Sequence, residues 1–401
     1  LPFVTAPYRT RAHRGLGAGL ILLIFIVLLL AVPRTGRPPG ILAPVLVLSS
    51  LERAGTVSLA GDCGYSAPLP ASPGHSLWLF CDTPVYGRPA PGRAWTLQRF
   101  ITGSTAAVGS VAAGSAPGPL SEVAPGARDG SLAARDGPAP FLPRPAGLIQ
   151  PDGLPCGEGG GYAASWVTGV TQVPSTPDLL VTFNNYCVLP GAGAFRFEGF
   201  GLAEYDPATG TLSDDLTVLA GPGAGPAVPA LGSPVFSGRY LYLYGTACTA
   251  QVTGRCAGTL TEARVPASPA AWADPLSYRW RAGGPLGPWT ADAAGAVAVI
   301  PGPKPSGVSV ASFPAAGRGF VLVEQTDIYG AFTVYGSASP AGPWKPIRSG
   351  RVPCRGESGY ANFCRAIIGH PELSTPAELV LSYFDPAAGA HGHVMVAGFR
   401  W

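Results

Sequence analysis

The sequence predicts an all-β protein: a five-bladed β-propeller preceded by one N-terminal transmembrane helix. Three observations carry that expectation. Glycine (56) and proline (45) make up about a quarter of the 401 residues, a level at which disorder competes with folding. Yet 47% of the chain is apolar and only 12% charged, so there is ample surface to bury, and the Gly and Pro punctuate turns between short strands. Five apolar strand runs then recur along the chain, and one uncharged run of 18 residues lies near its start.

The N-terminal elements follow in order. Residues 1–14 are a basic segment carrying Arg9, Arg11 and Arg14, and residues 15–32, GLGAGLILLIFIVLLLAV, are long enough to cross a bilayer. The arginines before the span put the N-terminus in the cytoplasm and the body outside. A cleaved signal peptide is the alternative. The exit LAVPRTGRPPG has no clear small-x-small cleavage site, which favours a signal anchor. The expected location is the cell membrane, single-pass, with the body on the extracellular side. Residues 33–55 read as a Pro-rich stalk and 56–401 as the propeller.

Within the body, a small-residue turn followed by an apolar strand recurs as PGHSLWLFCD (73–82), SGRYLYLYGT (237–246) and AGRGFVLVEQ (316–325). STPDLLVTFNN (175–185) and STPAELVLSYFD (374–385) repeat it with a different turn. These centre on Leu79, Val181, Leu243, Leu322 and Leu381, spaced widely enough for one four-stranded sheet each. Sheets repeated radially make a propeller, which protects strand edges. The strand before each centre is expected to line the channel: 61–69, 156–167, 230–237, 304–313 and 354–373. Expected outer strands include WTLQRFITGS (95–104), FEGFGLAEYD, GTLTEARVPA, AFTVYGSASP and HGHVMVAGFR. The low-complexity stretch 103–147 is expected to be an insertion in the first blade.

A net charge of +3 without a basic cluster in the body argues against nucleic acid as a partner. No HExxH or paired CxxC occurs, so no metal site or cofactor is expected. The eight cysteines fall as close sequential pairs: Cys63 with Cys81, Cys156 with Cys187, Cys248 with Cys256, and Cys354 with Cys364. That fits local disulfides in an exported chain.

Several phrases carry a family likeness. SASPAGPW (337–344) and GGPLGPW (283–289) resemble the S…GPW strand-to-turn motif of five-bladed glycoside hydrolases such as arabinanases, arabinofuranosidases and β-xylosidases. LWLFCDT (77–83) resembles the lWlFGDT of an exported bacterial propeller family, formerly a domain of unknown function, some of whose members are endo-D-arabinanases. EARVPASPAAWADPLSYRW (262–280) is similar to that family's third-blade strand and loop. The resemblance implies a propeller acting on polysaccharide, with a first-blade aspartate as base. Cys81 stands where the family usually has Gly, a departure that a Cys63 bridge accounts for.

Glycoside hydrolysis needs two carboxyl groups across the scissile bond, one protonated and one ionised. Asp62, Glu158 and Glu357 stand at or just before expected inner strands and are the catalytic candidates: Asp62 as base by the resemblance, Glu158 or Glu357 as acid. His370 and Arg365 are candidates for holding sugar hydroxyls, and Tyr162, Trp166 and Tyr360 for stacking on sugar rings. Each has a structural counterpart: Asp62 caps a turn, Glu158 and Glu357 sit in glycine-rich loops, His370 packs in a turn and Trp166 packs between blades. Asp82, after the strand, is read as fixing a turn. The function expected is hydrolysis of cell-envelope or extracellular polysaccharide, arabinan included. A glycan-binding propeller and a cell-surface protein scaffold are the alternatives.

Overall fold

A computed structural model of the chain describes residues 46–48, 57–88, 90–123, 139–150, 153–191, 195–213, 216–220, 230–252, 255–300, 307–354, 363–389 and 391–401. The expected transmembrane segment lies outside them, and no helix among the described residues is long and apolar enough to cross a membrane. Helix is confined there to one turn, α1 (Pro269–Trp272), and two short 3-10 turns.

Strands β1 (Leu46–Leu48) and β2 (Val57–Leu59) come first. The first sheet runs β3 (Cys63–Pro68), β4 (His75–Phe80), β7 (Thr105–Ser110), β8 (Ser121–Val123). Between β4 and β7 the chain leaves to form β5 (Thr83–Gly87) and β6 (Thr96–Ile101), which join β2 in a separate three-stranded sheet. The second sheet is β9 (Tyr162–Gln172), β10 (Leu179–Val188) and β11 (Phe195–Asp206), with β12 (Thr211–Leu212) and β13 (Leu216–Ala220) both paired to β11. The third runs β14 (Ala230–Ser237), β15 (Tyr240–Val252), β16 (Arg255–Pro266), β17 (Arg279–Arg281), β18 (Trp289–Thr290). The fourth is β19 (Gly307–Ser312), β20 (Phe320–Gln325), β21 (Ala331–Ser337), β22 (Lys345–Arg351). The last takes β23 (Arg365–Gly369), β24 (Glu378–Asp385) and β25 (His393–Arg400), and its outer strand is β1, from the other end of the chain.

The second strand of each sheet explains the arrangement. Successive strand residues point to opposite faces. Leu77 and Leu79 of β4 pack with Val181 and Phe183 of the second sheet, while Trp78 and Phe80 pack with Val380 and Val396 of the last. Leu180 meets Leu241 and Leu243; Tyr242 and Tyr244 meet Leu322; Val321 and Val323 meet Leu379 and Leu381. Each sheet thus has two apolar faces and needs a neighbour on both. These interfaces close on themselves, and the innermost strands touch in the cycle β3–β9–β14–β19–β23–β3. That is the architecture of a β-propeller.

Small residues let the innermost strands approach. A Cβ on Gly169 of β9 would lie 2.9 Å from the Ser233 nitrogen, and one on Gly232 of β14 would lie 2.6 Å from the Thr168 oxygen. Polar bonds also cross the interfaces. Arg281 pairs with buried Glu262 (3.2 Å) and donates to the Ala341 carbonyl of the fourth sheet (3.1 Å).

The predicted second strands coincide with the observed ones, and each predicted inner stretch overlaps an observed inner strand, though β9 (Tyr162–Gln172) starts and ends later than 156–167 and β23 is only Arg365–Gly369. Three expectations change. WTLQRFITGS does not form a blade edge, because β6 pairs with β5. The stretch 103–147 is not wholly an insertion, since it supplies β7 and β8. The segment read as stalk contributes β1, so the folded body begins before residue 56.

Disulfides Cys63–Cys81, Cys156–Cys187 and Cys354–Cys364 form as expected. The fourth expected bridge, between Cys248 and Cys256, is not among the described disulfides. The side chains of Cys248 and Cys256 lie outside the described part of the chain.

Because β1 closes the last sheet, a chain beginning at residue 56 loses a strand that one beginning at residue 41 keeps. The shorter chain is expected to melt roughly 3–6 °C lower, measured by thermal unfolding of the two side by side.

Candidate functional site

A cleft of about 880 Å³ opens where the first and second sheets, the last sheet and the small β2–β5–β6 sheet meet. Asp62, Asp82, Tyr162, Trp166 and Arg365 all line it. Sequence brings the two acids together through the first hairpin. Asp62 precedes Cys63 and Asp82 follows Cys81, and the disulfide holds those cysteines with Cα atoms 5.5 Å apart. The Cys81 N–H also donates to the Asp62 carbonyl (2.9 Å). Closing a loop of this length stabilises by roughly 3 kcal/mol.

The innermost strands are irregular at this end. Register shifts occur between Cys63 and Tyr65 and between Arg365 and Ile368. Cys63 (φ 70°) and Ala366 (φ 57°) adopt the left-handed region, which costs on the order of 1 kcal/mol or more for a residue with a Cβ. Bulges of this kind re-aim side chains.

The two acids have different surroundings. Arg365 Nε donates to Asp62 Oδ2 at 2.5 Å, an ion pair that is partly buried. The same guanidinium lies over the Phe384 ring, 4.0 Å from its centroid. Asp82 instead accepts from the Tyr162 hydroxyl (2.6 Å) and the Gly103 N–H (2.7 Å). Burial pushes its carboxyl from the ordinary 3.8 up to about 6; those two hydrogen bonds oppose the rise and the charge on Asp62 adds to it. The cleft therefore holds an ion-paired carboxylate beside a carboxyl that keeps its proton into the mildly acidic range.

Of the predicted residues, Asp62, Tyr162, Trp166 and Arg365 are brought together. Glu158 is exposed in a turn outside the cleft lining. Glu357 and Tyr360 lie outside the described residues. His370 is fully buried beyond the far end of β23, away from Arg365. Its ring packs on Trp78 (4.9 Å), and its Nδ1 is 2.6 Å from Ser66 Oγ, which also donates to Glu372. That relay ties the first sheet to the last beside a second cavity of about 400 Å³ in the channel. Asp82 corrects the reading of it as a turn residue alone. The sequence signal for it is the symmetry of the bridge, with an acid outside each cysteine. Tyr86, Phe100 and His391 also line the cleft and carry no such signal.

Asp62, Cys63 and Cys81 place three ligand-type atoms within 4.8 Å of one another. Both sulfurs are bonded to each other, so this group offers no thiolate to a metal.

No protein-family model matches the sequence, and no curated protein matches it. Among solved structures, a candidate hydrolase from Bacteroides ovatus ATCC 8483 shares the fold, with TM-score 0.55 and 16% identity over 88% of this chain and 93% of that one. A GH43_1 enzyme from Xanthomonas citri in complex with xylotriose aligns at TM-score 0.39 and 14% identity over 87% and 89% of the two chains. The β-xylosidase/α-arabinofuranosidase CoXyl43 from a compost metagenome aligns at 0.44 and 11% over 88% and 93%. These last two are too distant to argue from.

The raised Asp82 pKa has a stability consequence of definite sign. The folded state binds this proton more tightly than the unfolded state, so stability is lost as pH rises from about 4 through about 6. Asp82→Asn is expected to match the wild type near pH 4 and to exceed it by on the order of 1–3 kcal/mol above pH 6. Urea unfolding across that range checks it, and a difference independent of pH would contradict the assignment.

Proposed function

We propose that this chain is an exported, membrane-anchored, five-bladed β-propeller that hydrolyses glycosidic bonds in a cell-envelope or extracellular polysaccharide. The observation that carries the reading is the pair of acids in one cleft, Asp62 ion-paired with Arg365 and Asp82 with its pKa raised to about 6. A glycosidase needs two carboxyl groups in one cleft, one of which carries a proton to give. Asp82 gives its proton to the departing glycosidic oxygen, and the Tyr162 hydroxyl fixes the direction of the carboxyl. Asp62 acts from the other position as base or nucleophile, with Arg365 holding the carboxylate in place. Asp82 thus takes the role first given to Glu158 or Glu357.

Three disulfides between sequential partners suit an oxidising compartment and support the exported location. The fold likeness adds nothing about chemistry, because propellers host many functions. One observation favours a second reading, a propeller that binds glycan without cleaving it: Arg365 already satisfies Asp62 from within the protein.

The test is reducing-sugar release by the full chain from arabinan, arabinogalactan and xylan. Asp62→Asn and Asp82→Asn should each lower release at least about 10³-fold with near-UV circular dichroism unchanged. Retention of a polysaccharide without release would favour the binding reading.

The pH profile supplies a separate prediction. Activity should fall above about pH 6 as Asp82 loses its proton. Tyr162→Phe removes a hydrogen bond that lowers this pKa, so the falling limb should move to higher pH. A limb that stays in place or moves down would remove Asp82 from the acid role.

A further inference from the structure

Strand β6 is unusual for this protein. Residues Thr96 to Phe100 are all exposed, Leu97 at 55% and Phe100 at 40%, on the edge of a three-stranded sheet. A strand with apolar side chains in water and no core of its own needs an account. The insertion is nevertheless fixed in place. Tyr86 of β5 stacks on His391 beside the last sheet (centroids 3.4 Å apart, planes 9° apart), and Trp95 meets the same imidazole edge-on at 6.5 Å. The insertion therefore spans from the first sheet to the last along the cleft rim.

That placement brings Phe100 to the acids. Phe100 lines the cleft, and its ring meets Tyr162 edge-on at 5.7 Å, the same Tyr162 that donates to Asp82. His391 is on this wall too, with its ring held against Tyr86 and its Nε2 buried. The wall beyond the acids thus carries an exposed aromatic ring, suited to the apolar C–H face of a sugar ring.

The charges on the lining narrow the ligand. Asp62, Asp82 and Arg365 are its acidic and basic side chains among the described residues, apart from the His391 imidazole, and Arg365 is committed to Asp62. Burial lowers the pKa of His391 and favours its neutral form. Among the described lining residues, a carboxylated or sulfated sugar would meet two aspartates and no uncommitted arginine or lysine.

We infer that Phe100 and Tyr86, carried by the inserted hairpin, form a sugar-stacking subsite beyond the acid pair, and that the cleft takes several units of an uncharged glycan chain. The inference rests on the glycan-directed reading of the cleft and deepens it. The probes are neutral arabino- and xylo-oligosaccharides of two to six units, with oligogalacturonides of the same lengths as the anionic comparison. Binding is measured by calorimetry on the full chain carrying Asp82→Asn, so that turnover does not consume the ligand.

Affinity for at least one neutral series should rise with chain length and exceed that for oligogalacturonides about tenfold. Phe100→Ala should remove the gain from added units, weakening the longest ligand about tenfold. Phe100→Trp, which keeps a ring, should retain the gain. Length-dependent binding that Phe100→Ala leaves intact would overturn the subsite while leaving the glycan reading standing. Oligogalacturonides binding as tightly as the neutral series would overturn the uncharged substrate. Binding of neither series would sink both the subsite and the glycan reading.

Discussion

Everything in this body depends on the second strand of each sheet being apolar on both faces. A strand such as Leu179–Val188 cannot be satisfied by one neighbour, because Leu180 points one way while Val181 and Phe183 point the other. The same holds for β4, β15, β20 and β24, so each of the sheets built on these strands is sandwiched, and the row of them returns to its start. The interface between the last and first sheets completes the ring, with Trp78 and Phe80 on one side and Val380, Val394 and Val396 on the other. β1 reinforces the same closure, since residues from near the beginning of the chain pair with its final strand.

Closure creates the site as a by-product. Once the ring is complete, the start of β3 stands beside the starts of β9 and β23, and Asp62, Tyr162 and Arg365 meet although they are far apart in sequence. Asp82 arrives by a different route. It belongs to the end of a second strand, which would ordinarily lie away from the channel, and the Cys63–Cys81 bridge holds that end against the start of β3. Its burial there raises its pKa against the two hydrogen bonds from Tyr162 and the Gly103 amide, so hairpin, disulfide and neighbouring sheet all bear on one proton.

The fold is readable from sequence where burial is two-sided. Runs such as SLWLF, LLVTF and ELVLSYF are continuous apolar strands, and their positions match the observed second strands. Asp62 is readable too, because it immediately precedes an innermost strand. Pairing partners are less accessible. TLQRFI reads as a short β-strand like any blade edge, and nothing local says that it joins β5 instead. His370 groups with Arg365 in sequence but not in space, for a metric reason: five residues along an extended strand separate two side chains by roughly 16 Å. Arg365 therefore reaches the cleft while His370 lies at the other end of β23. Asp82 is hidden because turn chemistry explains an aspartate after a strand well enough on its own.

The two ends of the ring differ in a way that accounts for where the cleft lies. At the far end, the Ser66–His370–Glu372 relay and the Trp78 ring seal the junction between the first and last sheets. At the near end, that same junction is held by the Asp62–Arg365 pair, and both flanking strands break their ladders there, with Cys63 and Ala366 in left-handed backbone. A regular ladder would point alternate side chains between the sheets, where a carboxylate is costly. Breaking it turns Asp62 and Arg365 toward the cleft, and the backbone cost is offset by the disulfide, the ion pair and the closed ring behind them. The insertion then extends this irregular end outward and adds exposed aromatic surface beside the acids. The sealed end keeps the ring shut, and the irregular end is left free to meet a ligand.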